Sequence, residues 1–151
     1  MDRKEFDFRK DYLHFLDIPT RWMDNDLYGH VNNVVYYSYF DTVVNQFMIE
    51  RAGLNIHEDP IIGVVVETMC RYRKSIAFPD IITAGLRVAH IGNSSVRHEI
   101  GIFAGGDDQA AACGHFVHAF VDRAKNKPTR IPDSIRGALQ SIQTSAMGQS
   151  D

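Results

Sequence analysis

The sequence predicts an α+β domain in which an antiparallel sheet of about five strands wraps around one long central helix. Three observations carry this. One helical stretch, residues 34–52, is apolar around most of its circumference. From residue 61 onward the apolar period changes to two. The breaks between the later strands are short and built from turn residues.

The first element is a strand over residues 14–22, where Pro19 suits an edge position or a bulge. The helix follows. Apolar residues at 36, 40, 43, 44 and 47 follow the i, i+4, i+7 pattern, and 35, 39, 48 and 52 widen the stripe. Asn32 or Asn33 suits its N-cap, Arg51 its last turn, and Gly53 the left-handed position beyond its end. Strands are then expected over 62–75, 80–90, 95–103 and 110–122, separated by Phe78-Pro79-Asp80, Ile91-Gly92-Asn93 and Gly105-Gly106-Asp107-Asp108. The last two intervals suit hairpins, so this half reads as a twisted antiparallel meander. Residues 1–131 form a single domain on this reading, and 132–151 a short helix begun by Pro132 and a loose tail from Thr144.

The chain has 151 residues, with 16 basic against 19 acidic side chains, so its formal charge is 16 − 19 = −3. That length and an apolar content of 44% suit one ordinary globular core. A slightly acidic chain has no general field for phosphate backbones, so nucleic acid is not expected as the main partner. No apolar run approaches a bilayer span, and the N-terminal residues lack a secretory leader's apolar stretch, so neither membrane nor export is expected. Two cysteines, Cys70 and Cys113, fit reduced thiols in a cytoplasmic protein. Cys113-Gly114-His115-Phe116-Val117-His118 looks metal-like, but on a strand 113 and 115 share one face while 118 takes the other. No metal or separate cofactor is expected.

A helix apolar on nearly every side cannot be satisfied by one face of a sheet. Either the sheet curls around it or a second subunit covers the remainder. Both solutions together describe the hotdog fold, and a homodimer or homotetramer is expected.

The chemistry is expected just before the helix, in Asp24-Asn25-Asp26-Leu27-Tyr28-Gly29-His30-Val31-Asn32-Asn33. As a calcium loop counted from Asp24 it fails, with Tyr28 and Val35 where ligands belong at positions five and twelve. Asp and Asn also favour turns and caps, which is the expected role of Asp24 and Asn32. Asp26, by contrast, stands where a carboxylate could attack a carbonyl or activate water, beside helix-terminal amides able to stabilise an oxyanion.

The string Asp24-x-Asp26-x-x-Gly29-His30-Val31-Asn32-Asn33, followed by Tyr36-x-x-Tyr39-Phe40, resembles the 4-hydroxybenzoyl-CoA thioesterase-like branch of hotdog acyl-CoA thioesterases. It also resembles plant acyl-carrier-protein thioesterases, whose His-Val-Asn-Asn run matches His30 to Asn33. The resemblance spans about residues 14–131, including Arg71-Tyr72-Arg73 and Gly92-Asn93-Ser94-Ser95. It implies hydrolysis of an acyl-CoA, coenzyme A being part of the substrate, with Asp26 as the catalytic carboxylate and the backbone N–H near Asn33 polarising the thioester carbonyl. His30 matches the carrier-protein enzymes' histidine. Their accompanying asparagine is Tyr28 here, however, and their downstream acid falls near Ser75, so His30 is expected to orient the loop. Gly29, Val31, Asn32, Tyr36, Arg73, Ser94 and Ser95 are the implied substrate contacts. Glu67, the one carboxylate in residues 64–70, either serves a site shared with a partner subunit or simply follows strand alternation. Arg71, Arg73, Lys74 and Arg97 either meet coenzyme A phosphates or form a solvated face. A carrier-protein thioesterase, a hotdog hydratase and a non-catalytic acyl-thioester binder are the alternatives.

Overall fold

The computed structural model describes residues 6–144. The elements run β1 (His14–Pro19), α1 (Val35–Ala52), β2 (Ile61–Tyr72), β3 (Ile81–Ile91), β4 (Ser95–Ala104), β5 (Ala112–Asp122), β6 (Lys127–Pro128) and α2 (Asp133–Gln140). All strands join one antiparallel sheet in the order β1-β3-β4-β5-β2, with the short β6 beside β5. The sheet curls around α1 in the hotdog arrangement that the sequence anticipates.

Strand alternation sets the core. Ala84, Leu86 and Val88 of β3, Ile100 and Ile102 of β4, and Phe116 and Phe120 of β5 point to the helix side. There they bury Phe40, Val43, Val44 and Phe47 of α1 completely. Fully burying an aliphatic or aromatic side chain stabilises by about 1.5–3 kcal/mol, so this layer dominates folding. Gly114 lets it close, because a Cβ there would collide with the Met69 carbonyl and the Phe40 ring. Gly53 takes the left-handed conformation at φ 72° and ends α1 by donating its N–H to the Met48 carbonyl.

Several details differ from the sequence reading. The first strand stops at Pro19, which cannot extend the ladder as a donor, and residues 22–24 turn into a short 3-10 helix instead. The β3-β4-β5 meander is present, but β2 pairs with β5 and lies at the far edge, not beside β3. A polar seam of α1, formed by Ser38, Asp41 and Thr42, stays exposed, so the helix is less uniformly apolar in its surroundings than its composition implies. Helix α2 is part of the main core through Ile135 and Leu139, and the chain beyond it remains pinned where the Thr144 N–H donates to the Val88 carbonyl. The rest of the expected tail, residues 145–151, lies outside the described residues.

The outer face of the sheet carries a smaller cluster of Tyr12, Phe103, Ala110 and Cys113. Beside it Arg87, nearly buried, pairs with Asp7 at 2.9 Å and Glu99 at 2.8 Å. No helix among the described residues is long and apolar enough to cross a membrane.

Candidate active site

The loop between β1 and α1 is held by backbone and carboxylate hydrogen bonds. The Asp26 N–H donates to the His30 carbonyl at 2.9 Å and Gly29 N–H to the Asp26 carbonyl at 3.1 Å. Gly29 sits at φ 83°, a conformation costly for a residue with a Cβ. The Asp26 Oδ1 accepts the Tyr28 N–H at 2.9 Å, while Oδ2 has no hydrogen-bond partner among the described residues. One oxygen is thus fixed by the loop and the other is left without a partner among the described residues. Asp26 is half-buried in the single chain.

Asp24 has the structural role expected of it. It is 1% exposed and accepts from the Arg21 backbone, the Arg21 guanidinium and the Tyr39 hydroxyl. Burial alone would raise its carboxyl, but the Arg21 N–H, the Tyr39 hydroxyl and the Arg21 guanidinium outweigh that and hold it below the ordinary carboxylate range. The Asp24 carbonyl also accepts the Asn32 N–H at 2.9 Å, which fixes the approach to the helix.

At the entrance to α1, Asn32 acts as the cap. Its Oδ1 accepts the Val34 N–H at 3.0 Å and its carbonyl accepts the Val35 N–H at 2.9 Å. The Tyr36 N–H turns back to the Asn33 carbonyl at 3.3 Å. The Asn33 N–H has no acceptor among the described residues. It is a free donor at the positive end of a helix of 18 residues, where negative charge is stabilised.

Beside that donor is a cleft of about 240 Å³. Val31, Asn33, Tyr36 and Arg73, all expected near substrate, line it together with Tyr72, Lys74 and Ser75. The Tyr72 hydroxyl donates to the Asn33 carbonyl at 3.1 Å, and the Tyr36 and Tyr72 rings meet edge to face at 5.0 Å. Burial, and then the nearby Cys70 thiol, push the Tyr36 hydroxyl up to about 12. Burial likewise raises Tyr72, so both remain neutral phenols at neutral pH. The same cause pushes Cys70 up to about 11, which leaves it a thiol rather than a nucleophilic thiolate. Arg73 donates through Nε to the Ala110 carbonyl at 2.8 Å, and Lys74 pairs with Asp107 at 2.6 Å.

Asp26, Gly29 and Asn32 stand on the loop before α1 and are not among the residues that line this cleft in the single chain, and three further expected contacts lie elsewhere. Val65 pairs with His118, whose neighbour by alternation, Phe116, faces the helix, and plain alternation would send Glu67 the same way. A bulge between Val65 and Glu67 inserts one residue and moves Glu67 to the outer face, opposite Val117, where it bonds His115 at 2.7 Å. Ser94 and Ser95 are at the other end of the sheet: Ser95 registers with Ala119, whereas Tyr72 registers with Ala112, a strand run of roughly 23 Å away. His30 is exposed, and its ring makes no hydrogen bond among the described residues; its carbonyl, not its imidazole, orders the loop.

Residues 20–139 match the family model described as the thioesterase-like superfamily. The chain belongs to that superfamily. The PA5185 protein from Pseudomonas aeruginosa is 52% identical to it, over 92% of this chain and 97% of that one, with a TM-score of 0.90. A thioesterase from Thermus thermophilus, solved with coenzyme A and zinc, is 27% identical over 85% of this chain and 98% of that one, with a TM-score of 0.72. The DHNA-CoA thioesterase from Staphylococcus aureus shares the fold at 20% identity, over 85% and 91% of the two chains, with a TM-score of 0.74. No curated protein matches the chain.

For this thioesterase-like chain, sequence reasoning missed Tyr72 and Ser75 as cleft residues. Tyr72 was findable, because it shares a strand face with Cys70, whose side chain packs on the core. Ser75, near which the resemblance put the carrier-protein enzymes' acid, lines the cleft.

Proposed function

We propose that the protein hydrolyses acyl-CoA thioesters at the cleft beside the start of α1. The observation that carries this is the Asn33 N–H, free among the described residues, on a cleft wall at the end of the loop whose Asp26 keeps one oxygen unpartnered among those residues. A thioester carbonyl needs a hydrogen-bond donor at its oxygen and a base or nucleophile at its carbon, and these two groups are of those kinds. The helix terminus adds a favourable field for the developing oxyanion. Asp26 either attacks the carbonyl, giving a mixed anhydride that water then opens, or deprotonates the attacking water. In both routes the carbon–sulfur bond breaks, the thiolate takes up a proton, and the products are a carboxylic acid and free coenzyme A. Arg73 and Lys74 on the cleft wall suit the anionic part of the substrate.

The active form on this reading is a homodimer or homotetramer. Strand β2 is 12 residues long, its outer edge has no partner strand among the described residues, and Val64, Val65 and Val66 are exposed along it. A long apolar edge of this kind is a template for pairing, and a second copy of the same strand is the natural occupant.

The test is release of free thiol from a panel of aromatic, branched and straight-chain acyl-CoAs, run beside the same acyl groups on carrier protein. Turnover of one or more CoA esters supports the reading. Turnover of carrier-protein esters alone moves the assignment to a carrier-protein thioesterase, and tight binding without thiol release makes the protein a binder.

A further inference from the structure

A second pocket, of about 180 Å³, lies between the C-terminal half of α1, the loop after it and the start of β2. Met48, Leu54, Ile56 and Ile62 supply apolar walls, and Asn45 and His118 are its polar members. Behind His118 stands His98 of β4, the two rings meeting edge to face at 5.1 Å. His98 is wholly buried and His118 is 4% exposed. Both nitrogens of His98 and the Nδ1 of His118 are closed off without a hydrogen-bond partner among the described residues.

Such groups are expensive in a core, on the order of 1–3 kcal/mol for each unmade bond. Packing does not call for them, since Phe116 and Phe120 fill the neighbouring inward positions of β5. Burial keeps both rings neutral, lowering His98 well below the ordinary histidine value and His118 to about 4. A neutral imidazole offers one donor and one acceptor, and with Nδ1 closed off the His118 Nε2 is the atom left to meet an uncharged polar group in the pocket. An apolar cavity with a few polar groups is the usual form of a small-molecule site, and of the two here Asn45 already donates its amide to the Asp41 carbonyl and carboxylate.

The place of this pocket gives it a role in the reaction proposed above. Ile62 and Gly63, at the start of β2, line the pocket, while Tyr72, at the end of β2, lines the catalytic cleft. When two copies pair their β2 edges antiparallel, the Tyr72 end of one strand meets the Ile61 end of the other. That arrangement brings the cleft end of one chain's β2 alongside the pocket end of its partner's.

We propose that this pocket receives the far end of the acyl group bound in the partner's cleft, and that His118 selects for a hydroxyl on an otherwise apolar body. A cavity of about 150 Å³ accommodates benzene, so the part of the acyl group held in this pocket of about 180 Å³ is roughly the size of a six-carbon ring. His118 is thus a specificity residue, backed by His98.

The proposal rests on the thioesterase reading, and the experiment separates the two. Straight-chain acyl-CoAs of six to ten carbons are compared with their ω-hydroxy counterparts in wild type, His118→Phe and His118→Gln. At the best chain length the wild type should favour the hydroxylated ester in kcat/KM by roughly tenfold. His118→Phe should lose the preference, and His118→Gln, which keeps a hydrogen-bonding end, should retain part of it. A hybrid dimer of one Asp26→Asn chain and one His118→Phe chain should keep the preference, because its working cleft faces an intact His118. Absence of the wild-type preference, its survival in a cooperatively melting His118→Phe protein, or its loss in the hybrid overturns the proposal. Failure to hydrolyse any thioester overturns the proposed function instead. The pocket is then decided by melting with benzyl alcohol against toluene: a larger stabilisation by the alcohol that vanishes in His118→Phe supports the site, and an equal response in both proteins overturns it.

Discussion

The Tyr39 hydroxyl donates 2.8 Å to the Asp24 Oδ2, so the first aspartate of the loop is tied to the helix it precedes. Asp26, two residues on, is bound only through Oδ1 and the backbone. Two carboxylates of the same motif therefore differ in their ties: one fixes the loop against α1, and the other keeps an unpartnered oxygen among the described residues, as the proposed reaction requires.

Tyr39→Phe removes that tie and should destabilise the fold by about 2 kcal/mol, the scale of a hydrogen bond to a charged group. Asp24→Ala should cost more, since it also strands the Tyr39 hydroxyl and releases Arg21. Urea denaturation of both variants checks this. A stability equal to wild type in both would show that Asp24 is not the loop's anchor.

Acid should weaken the fold in two stages. His98 and His118 have lower values in the folded chain than the ordinary 6.5, His118 at about 4. The unfolded chain therefore binds more protons across that window, and stability falls as pH drops from 6.5 toward 4. His118 alone contributes up to about 3 kcal/mol of this loss. The Asp24 contribution has the other form: a depressed carboxyl stabilises above its ordinary 3.8, and that stabilisation is lost as pH falls further. Denaturation midpoints at pH 7.5 and 4.5 measure the first stage, and His118→Phe should reduce the difference between them. Equal midpoints in wild type would contradict the burial of neutral histidines.

His30 should prove secondary. Its carbonyl holds Asp26 in place while its exposed ring makes no hydrogen bond among the described residues, so His30→Gln should leave the melting temperature unchanged and lower kcat by less than about tenfold. The pH–rate profile should show no lost limb near a histidine value of about 6.5. An abolished rate at every pH, with unchanged melting, would place the imidazole in the catalytic set.

The open β2 edge should bring chains together. Sedimentation at micromolar concentration should show a species of at least twice the 17.1 kDa chain mass. Val64→Lys with Val66→Lys should shift it toward the single chain by placing charge along the edge. A stable wild-type monomer would remove the basis for a shared site.

Much of this was legible in the sequence because the governing periods are local. The 3.6-residue stripe of α1 and the two-residue alternation of the later strands needed no distant information, and the Asp26 to Asn33 string located the loop and the free amide together. What was not legible depended on distant pairing. The choice of β5 over β3 as the neighbour of β2 is decided across the sheet. A single bulged residue then reversed the face of Glu67, and the length of β4 carried Ser94 and Ser95 away from the cleft. The His98–His118 contact joins two strands whose separate sequences give no sign of it.

Asp26 carries the proposed chemistry. Thiol release from the best acyl-CoA substrate should be measured for wild type and Asp26→Asn at equal concentration, with melting curves beside it. The expected result is an unchanged melting temperature and a loss in kcat of at least a hundredfold, within the range of about 10²–10⁴ for a positioned acid or base. A folded Asp26→Asn protein that hydrolyses the ester at the wild-type rate would contradict it.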